Sequence, residues 1–203
     1  STIVSLLSKF YLPTEGHILV DGNAIEKISE QTLRHHIAYV PQESLLFKSS
    51  ILDNCRMGRE DASIEDVIDA LKMANAWEFV EKLPDKLLTK IGTQGLTLSG
   101  GQRQRIAIAR AILADPRVLI LDDATSAIDV AVEERIHDAL CARRAGRTTI
   151  LIAHRLSTIA LADRVILLDN GAVAAPGTHD ELLATNPRYA AILADTASAD
   201  TEQ

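Results

Sequence analysis

No apolar run in this sequence approaches the ~20 residues that cross a bilayer. Runs such as Val118-Leu119-Ile120-Leu121 and Val165-Ile166-Leu167-Leu168 have the length of strands. Cysteine is scarce: Cys55 and Cys141 lie far apart and outside any CxxC or Cys/His cluster. That pattern argues against a disulfide scaffold and a structural metal, and reads as reduced cytosolic thiols. Positive charge is in deficit, with 21 Lys and Arg against 28 Asp and Glu and a net charge of −7, which argues against a general nucleic-acid binder. No leader segment and no initiator Met precede Ser1, so a fragment of a longer polypeptide is expected. What remains is 203 residues, 47% hydrophobic and 24% charged, the composition of one globular domain or of one domain with an inserted subdomain.

Apolar periodicity predicts a short helix over Ser1 to Lys9 and a strand from His17 to Val20 closed by the turn pair Asp21-Gly22. A second strand is Ile37 to Val40, and residues 50–114 read almost wholly as helix, with Ser63-Ile64-Glu65-Asp66 as a capping box. After Asp115-Pro116 the pattern changes to strand Val118 to Leu121, helix Val130 to Arg143, and strands Thr149 to Ala153 and Arg164 to Leu168. Strands alternating with helices imply an α/β fold with a parallel sheet. Asn170-Gly171 marks a hairpin turn, Thr178-His179-Asp180-Glu181 opens a terminal helix, and the small polar residues from Asp195 to Gln203 suggest a frayed end.

Ligands of open parallel sheets bind beyond the carboxyl ends of the strands. Ile37 to Val40 runs into Gln42, Val118 to Leu121 ends in Asp122 and Asp123, and Thr149 to Ala153 ends in His154. Each residue alone serves equally well as a cap of a strand or turn; together they point to one site. Adjacent carboxylates suit a divalent cation, one as ligand and the other orienting or deprotonating a water. That arrangement belongs to phosphoryl transfer. His154 fits either a phosphate contact, a proton transfer or a structural role, and Gln42 can reach a cation or water through its carbonyl. At Leu98-Ser99-Gly100-Gly101-Gln102, a serine and two glycines at a helix start expose backbone N–H groups to an anion. A plain helix cap is the alternative there, although glycine costs about 1 kcal/mol relative to alanine inside a helix.

Leu98-Ser99-Gly100-Gly101-Gln102 with Arg103-Gln104-Arg105, then Val118 to Asp129, then Ala153-His154-Arg155 resemble, in order and spacing, the nucleotide-binding domain of ABC transporters. Tyr39-Val40-Pro41-Gln42 with Leu46-Phe47, and Phe10-Tyr11-Leu12-Pro13 with Gly16, resemble the exporter form, in which a membrane domain is fused to the same chain. The resemblance covers nearly the whole sequence. It implies a P-loop NTPase fold of the RecA-like kind: a mostly parallel sheet in a catalytic core of residues 1–49 and 115–195, an inserted α-helical subdomain of residues 50–114, and a tail of residues 196–203. It also implies an ATPase using ATP and Mg²⁺ to drive transport.

Residue by residue, Ser1 resembles the last serine of the Walker A motif, a Mg²⁺ ligand, and Thr2 its neighbour near the phosphates. Asp122 resembles the Walker B aspartate on Mg²⁺, Gln42 the Q-loop glutamine that reaches the metal and its water, His154 the switch histidine, and Asp129 the D-loop aspartate. Leu98, Ser99, Gly100, Gly101 and Gln102 resemble the signature that closes over ATP held by a second nucleotide-binding domain. The partners implied are therefore a second such domain and a transmembrane domain, with no nucleic acid, at the cytoplasmic face of the plasma membrane. Arg103, Arg105 and Arg110 fit a carboxylate or phosphate contact or, more commonly, a solvated helix face; Trp77 and Phe79 fit core packing ahead of a groove for the membrane domain.

Departures from the family pattern carry their own expectations. The Gly-rich loop and lysine of Walker A would precede residue 1, so the sequence as it stands is expected to bind ATP poorly. Asp123 occupies the position of the usual catalytic glutamate, and one methylene less draws the carboxylate back by roughly 1.5 Å. A misplacement of about 1 Å can cost on the order of 10²-fold in rate. This favours a slowly hydrolysing site in a heterodimer over a homodimer. Thr93-Gln94-Gly95 replaces the exporters' usual Glu-Arg-Gly, which questions coupling through that loop. A regulatory half that does not hydrolyse ATP, a soluble ABC protein without a membrane partner, and a signalling GTPase remain alternatives.

Overall fold

An apolar run without alternation buries both of its faces only as the central strand of a covered sheet. In the computed structural model, which describes residues 2–92, 97–143 and 146–200 apart from the side chains of 195–200, residues 118–122 do so. The chain forms two compact units, Ser1–Ile152 and Ala153–Gln203. In order, the first holds α1 (Thr2–Leu7), β1 (Leu19–Val20), β2 (Asn23–Ala24), α2 (Glu30–His36), β3 (Ile37–Val40), α3 (Ile51–Arg56), α4 (Ile64–Met73), α5 (Trp77–Val80), α6 (Gly100–Leu113), β4 (Val118–Asp122), α7 (Val130–Ala142) and β5 (Thr148–Ile152).

Strands β3, β4 and β5 lie in that order and run parallel, with Val40 opposite Leu121 and Asp122 opposite Ile152. The expected parallel α/β sheet is present, and its register sets the carboxyl ends of the strands level. Several boundaries shift by a residue or two; among them the strand predicted over His17 to Val20 contracts to β1, paired with β2 around the left-handed residues Asp21 and Gly22, and the one predicted from Thr149 to Ala153 runs from Thr148 to Ile152. Helix α2 carries only one buried residue, Leu33, so its apolar period is too weak to read; its signal is the Ser29 hydroxyl capping the Thr32 N–H.

Helices α3, α4 and α6 begin at capping boxes, Ser50 with Asp53, Ser63 with Asp66, and Ser99 with Gln102. The hydrogen bonds from Ser50 and Ser63 hold the carboxyls of Asp53 and Asp66 below the usual range. Ile51, Leu71, Ile106, Ile108, Leu119 and Leu121 share one core, so these helices and the central strand bury against each other. Trp77 and Phe79 pack against it, as expected.

The second unit holds α8 (Leu156–Ala160), β6 (Val165–Asp169), β7 (Ala172–Gly177), α9 (His179–Thr185) and α10 (Pro187–Asp200). Asn170 and Gly171 both take positive φ, and β6 pairs antiparallel with β7 across that turn. The single terminal helix expected after Thr178 is two, because Pro187 forces the preceding Asn186 out of helical conformation, and Asn186 caps the next helix through the Tyr189 N–H. The tail expected to fray from residue 196 continues α10 to Asp200, through the strong helix formers Ala197 and Ala199.

One buried amide anchors the segment beyond β3. Asn54 Oδ1 accepts from the Phe47 N–H at 2.8 Å, while its Nδ2 donates to the Phe47 and Ser50 carbonyls and to Ser49 Oγ. Replacing it strands several polar groups. Asn54→Ala is expected to lower the free energy of unfolding by about 2–3 kcal/mol in a urea titration; an unchanged midpoint would show that these bonds contribute nothing net.

Candidate functional site

Parallel pairing brings the ends of β3 and β4 side by side, and with them Gln42, Asp122 and Asp123. Asp122 is buried, 6% exposed, and its Oδ2 accepts from the Tyr39 hydroxyl at 3.0 Å. Burial first, and then this bond to a carboxylate, push the Tyr39 hydroxyl pKa up. Asp123 sits at φ +49, in the left-handed region that residues with a Cβ seldom occupy. Its N–H donates to the Ile152 carbonyl at 2.9 Å, the last rung of the ladder with β5, and the left-handed residue sets its carboxylate beside Gln42. There Gln42 Nε2 donates to Asp123 Oδ2 at 2.9 Å.

With its nitrogen committed to Asp123, Gln42 keeps its carbonyl oxygen as an acceptor. Two carboxylates and an amide oxygen are hard donors, of the kind Mg²⁺ takes alongside phosphate and water. Among the described residues no three His, Cys, Asp or Glu side chains form a complete cage for a metal ion. The donor set therefore fits a cation held jointly by protein and phosphates better than one held by protein alone.

The start of α6 is built differently from its glycine count. Ser99 Oγ accepts from the Gln102 N–H, and Gln102 Oε1 accepts from the Ser99 N–H at 2.9 Å. The Ser-x-x-Gln spacing was the sequence signal for this box. A Cβ on Gly101 would lie 2.4 Å from the carbonyl oxygen of Ala127, whereas one on Gly100 would meet the Ala127 Cβ at 3.3 Å. Close approach of the helix to the loop after β4 therefore explains the second glycine. Leu98 is buried, with its carbonyl bonded by Arg103.

Arg105 donates to the Asn75 carbonyl and lies over the Phe79 ring at 4.9 Å, and Arg110 donates to the Leu45 carbonyl. All three arginines after the signature thus hold backbone carbonyls. Burial lowers the pKa of Arg105 and Arg110. Asp129 stands exposed at the start of α7 and makes no capping hydrogen bond with its side chain. Thr2 is exposed at the start of α1, and His154 is exposed in the second unit ahead of α8. Ser1 and the Thr93-Gln94-Gly95 stretch lie outside the described residues.

Sequence reasoning missed two polar residues inside this region. Gln104, 6% exposed, accepts from the Ala127 N–H through Oε1 and donates to Ser126 Oγ through Nε2. Thr125 donates to Glu133 at 2.6 Å, both buried. Neither could be found by periodicity, since both sit on faces that apolar residues would also fill.

A family profile described as "ABC transporter" matches residues 1–126. The β-(1→2)glucan export ATP-binding/permease protein NdvA of Rhizobium etli is 51% identical over 95% of this chain, and ABC transporter B family member 14 of Arabidopsis thaliana is 46% identical over 93%. The chain spans 33% of the length of the first and 15% of the second. A solved structure, that of a bacterial Atm1-family ABC exporter with ATP bound, superposes with a TM-score of 0.92 at 43% identity, covering 97% of this chain and 34% of that one.

The contact of Gly101 with backbone makes its replacement costly. Gly101→Ala is expected to destabilise the protein by about 1–3 kcal/mol through overpacking, against a change within about 1 kcal/mol for Gly100→Ala, where helix propensity compensates. Urea unfolding of both variants checks the difference, and equal midpoints would contradict it.

Proposed function

This chain belongs to the ABC transporter family as its ATP-binding domain, and we propose that it hydrolyses ATP to drive export by a larger membrane protein. The observation that carries the reading is the 2.9 Å bond from Gln42 to Asp123 beside the buried Asp122, three polar groups gathered where two parallel strands end. The names of the relatives, an export ATP-binding/permease protein and an Atm1-family exporter, support export as the direction.

In this reading Asp122 and the Gln42 carbonyl, together with Ser1, hold Mg²⁺, which neutralises charge on the phosphates. Asp123 orients and deprotonates the attacking water, His154 contacts the terminal phosphate, and Thr2 lies near the phosphates. Leu98 to Gln102 and Asp129 face ATP held by a second nucleotide-binding domain. Residues 1–49 and 115–195 act as the catalytic core and 50–114 as a helical subdomain. No helix among the described residues is long and apolar enough to cross a membrane. In this reading the membrane partner is a transmembrane domain of the same or an associated chain, with this domain at the cytoplasmic face of the plasma membrane.

A second reading rests on Asp123 itself. Its carboxylate is one methylene shorter than glutamate and is engaged by Gln42, which favours a slow site paired with a faster one in a heterodimer. The steady-state ATPase rate of the polypeptide as the cell makes it, purified without a second subunit, separates the two for wild type and Asp123→Glu. A heterodimeric half is expected to be nearly inactive and to gain about tenfold or more with glutamate, the reach of an added ~1.5 Å. Equal rates for both would favour a homodimer in which aspartate is competent.

A further inference from the structure

We infer that Gln104 is a positioning residue for ATP hydrolysis, tying the helix that begins at Ser99 to the loop that carries Asp123 and Asp129; the inference rests on the ATPase reading above. Gln104 lies one turn inside α6 and is nearly inaccessible. Its two amide ends contact successive residues of the loop: Oε1 accepts the Ala127 N–H at 2.9 Å, and Nε2 donates to Ser126 Oγ at 3.2 Å. The Ser126 hydroxyl passes the connection on, donating to the Asp123 carbonyl at 2.9 Å. Gly101, on the turn before, allows the Ala127 carbonyl to come close.

The chemistry of the tie is specific to an amide. It needs a donor and an acceptor at the end of one side chain of this length. Leucine supplies neither, and glutamate supplies acceptors only. A carboxylate at 104 keeps the Ala127 N–H satisfied, but it competes for the one hydroxyl proton of Ser126 and so removes the bond that Ser126 makes to Asp123. Because Asp123 is held at φ +49, a conformation that persists only when its surroundings over-determine it, losing that bond frees the carboxylate to leave its position beside Gln42. The bonds run from Gln104 through Ser126 to Asp123, and Gln104 belongs to the helix that Ser99 caps. The helix facing one nucleotide thereby sets the position of the carboxylate that acts on another.

The test uses the polypeptide as the cell makes it, with Gln104→Glu, Gln104→Leu, Ser126→Ala and the Gln104→Leu/Ser126→Ala double variant. Steady-state ATPase kinetics and amide hydrogen exchange over residues 124–129 are read on each. Gln104→Leu is expected to speed exchange at Ala127, while Gln104→Glu leaves it protected. Both are expected to lower kcat on the order of 10- to 100-fold with KM for ATP changed less than about twofold, since ground-state binding is spared. The double variant should be little worse than either single one, because the two side chains act in one chain of bonds. Unchanged kcat in folded variants, a rise in KM at constant kcat, or full additivity would overturn the inference. Should Gln104→Leu fail to fold, the isosteric Gln104→Glu decides by its kcat alone. If the wild type turns over no ATP, the ATPase reading has failed, and exchange alone judges the tie: faster exchange at Ala127 in Gln104→Leu supports it and unchanged exchange overturns it.

Discussion

The cluster of Gln42, Asp122 and Asp123 hangs on the burial of β4 between two parallel neighbours. A strand with hydrogen-bonded partners on both edges and apolar cover on both faces cannot slide, because a shift of one residue would turn its buried set outward and break both ladders. Val40 is therefore held opposite Leu121, and Asp122 opposite Ile152. From that register follows the rest: Gln42 comes level with Asp123, and the Ile152 carbonyl is in position to receive the Asp123 N–H. A polar cluster at a sheet edge is cheap to hold when the positions of its members are set by the ladder.

A second constraint acts on the loop that leaves β4. It carries a residue at positive φ and must approach α6 closely, and the approach is made possible by a missing side chain at Gly101 and made specific by a buried amide at Gln104. Buried polar groups are costly unless satisfied. Here both ends of the amide are used, so the polar contact fixes one arrangement where an apolar one would allow several. The pattern recurs at Asn54, a buried amide whose bonds fix the segment beyond β3.

Much of this was legible in the order of residues. The unbroken apolar run at 118–121 specified a central strand, and the alternation of strands with helices specified parallel pairing, since both follow from periodicity that local geometry imposes. Capping boxes at Ser63 and Thr178 marked helix starts because their hydrogen bonds span only three residues. The Ser-x-x-Gln spacing at Ser99 and Gln102 marks the start of α6 in the same way, while the two glycines there point to an anion seat or a plain cap, and the structure adds the approach of Gly101 to Ala127. Helix α2 and the break at Pro187 were missed, the one for want of apolar period and the other because the periodicity on both sides of the proline is helical.

The sequence by itself determined the parallel α/β class, the polar residues that terminate β3 and β4, and the family to which their motifs belong, because each is a property of neighbours along the chain. Only the tertiary structure decided that Gln42 bonds Asp123 and that Tyr39 bonds Asp122. It alone decided that Gly101 is small on account of Ala127, and that Gln104 reaches the loop beyond β4. The bonded residues are separated by 81 and 83 positions in the first two cases and by 23 in the last. Contacts over such spans are set by how elements pack, where a difference of one ångström selects the partner, and no local pattern records that distance.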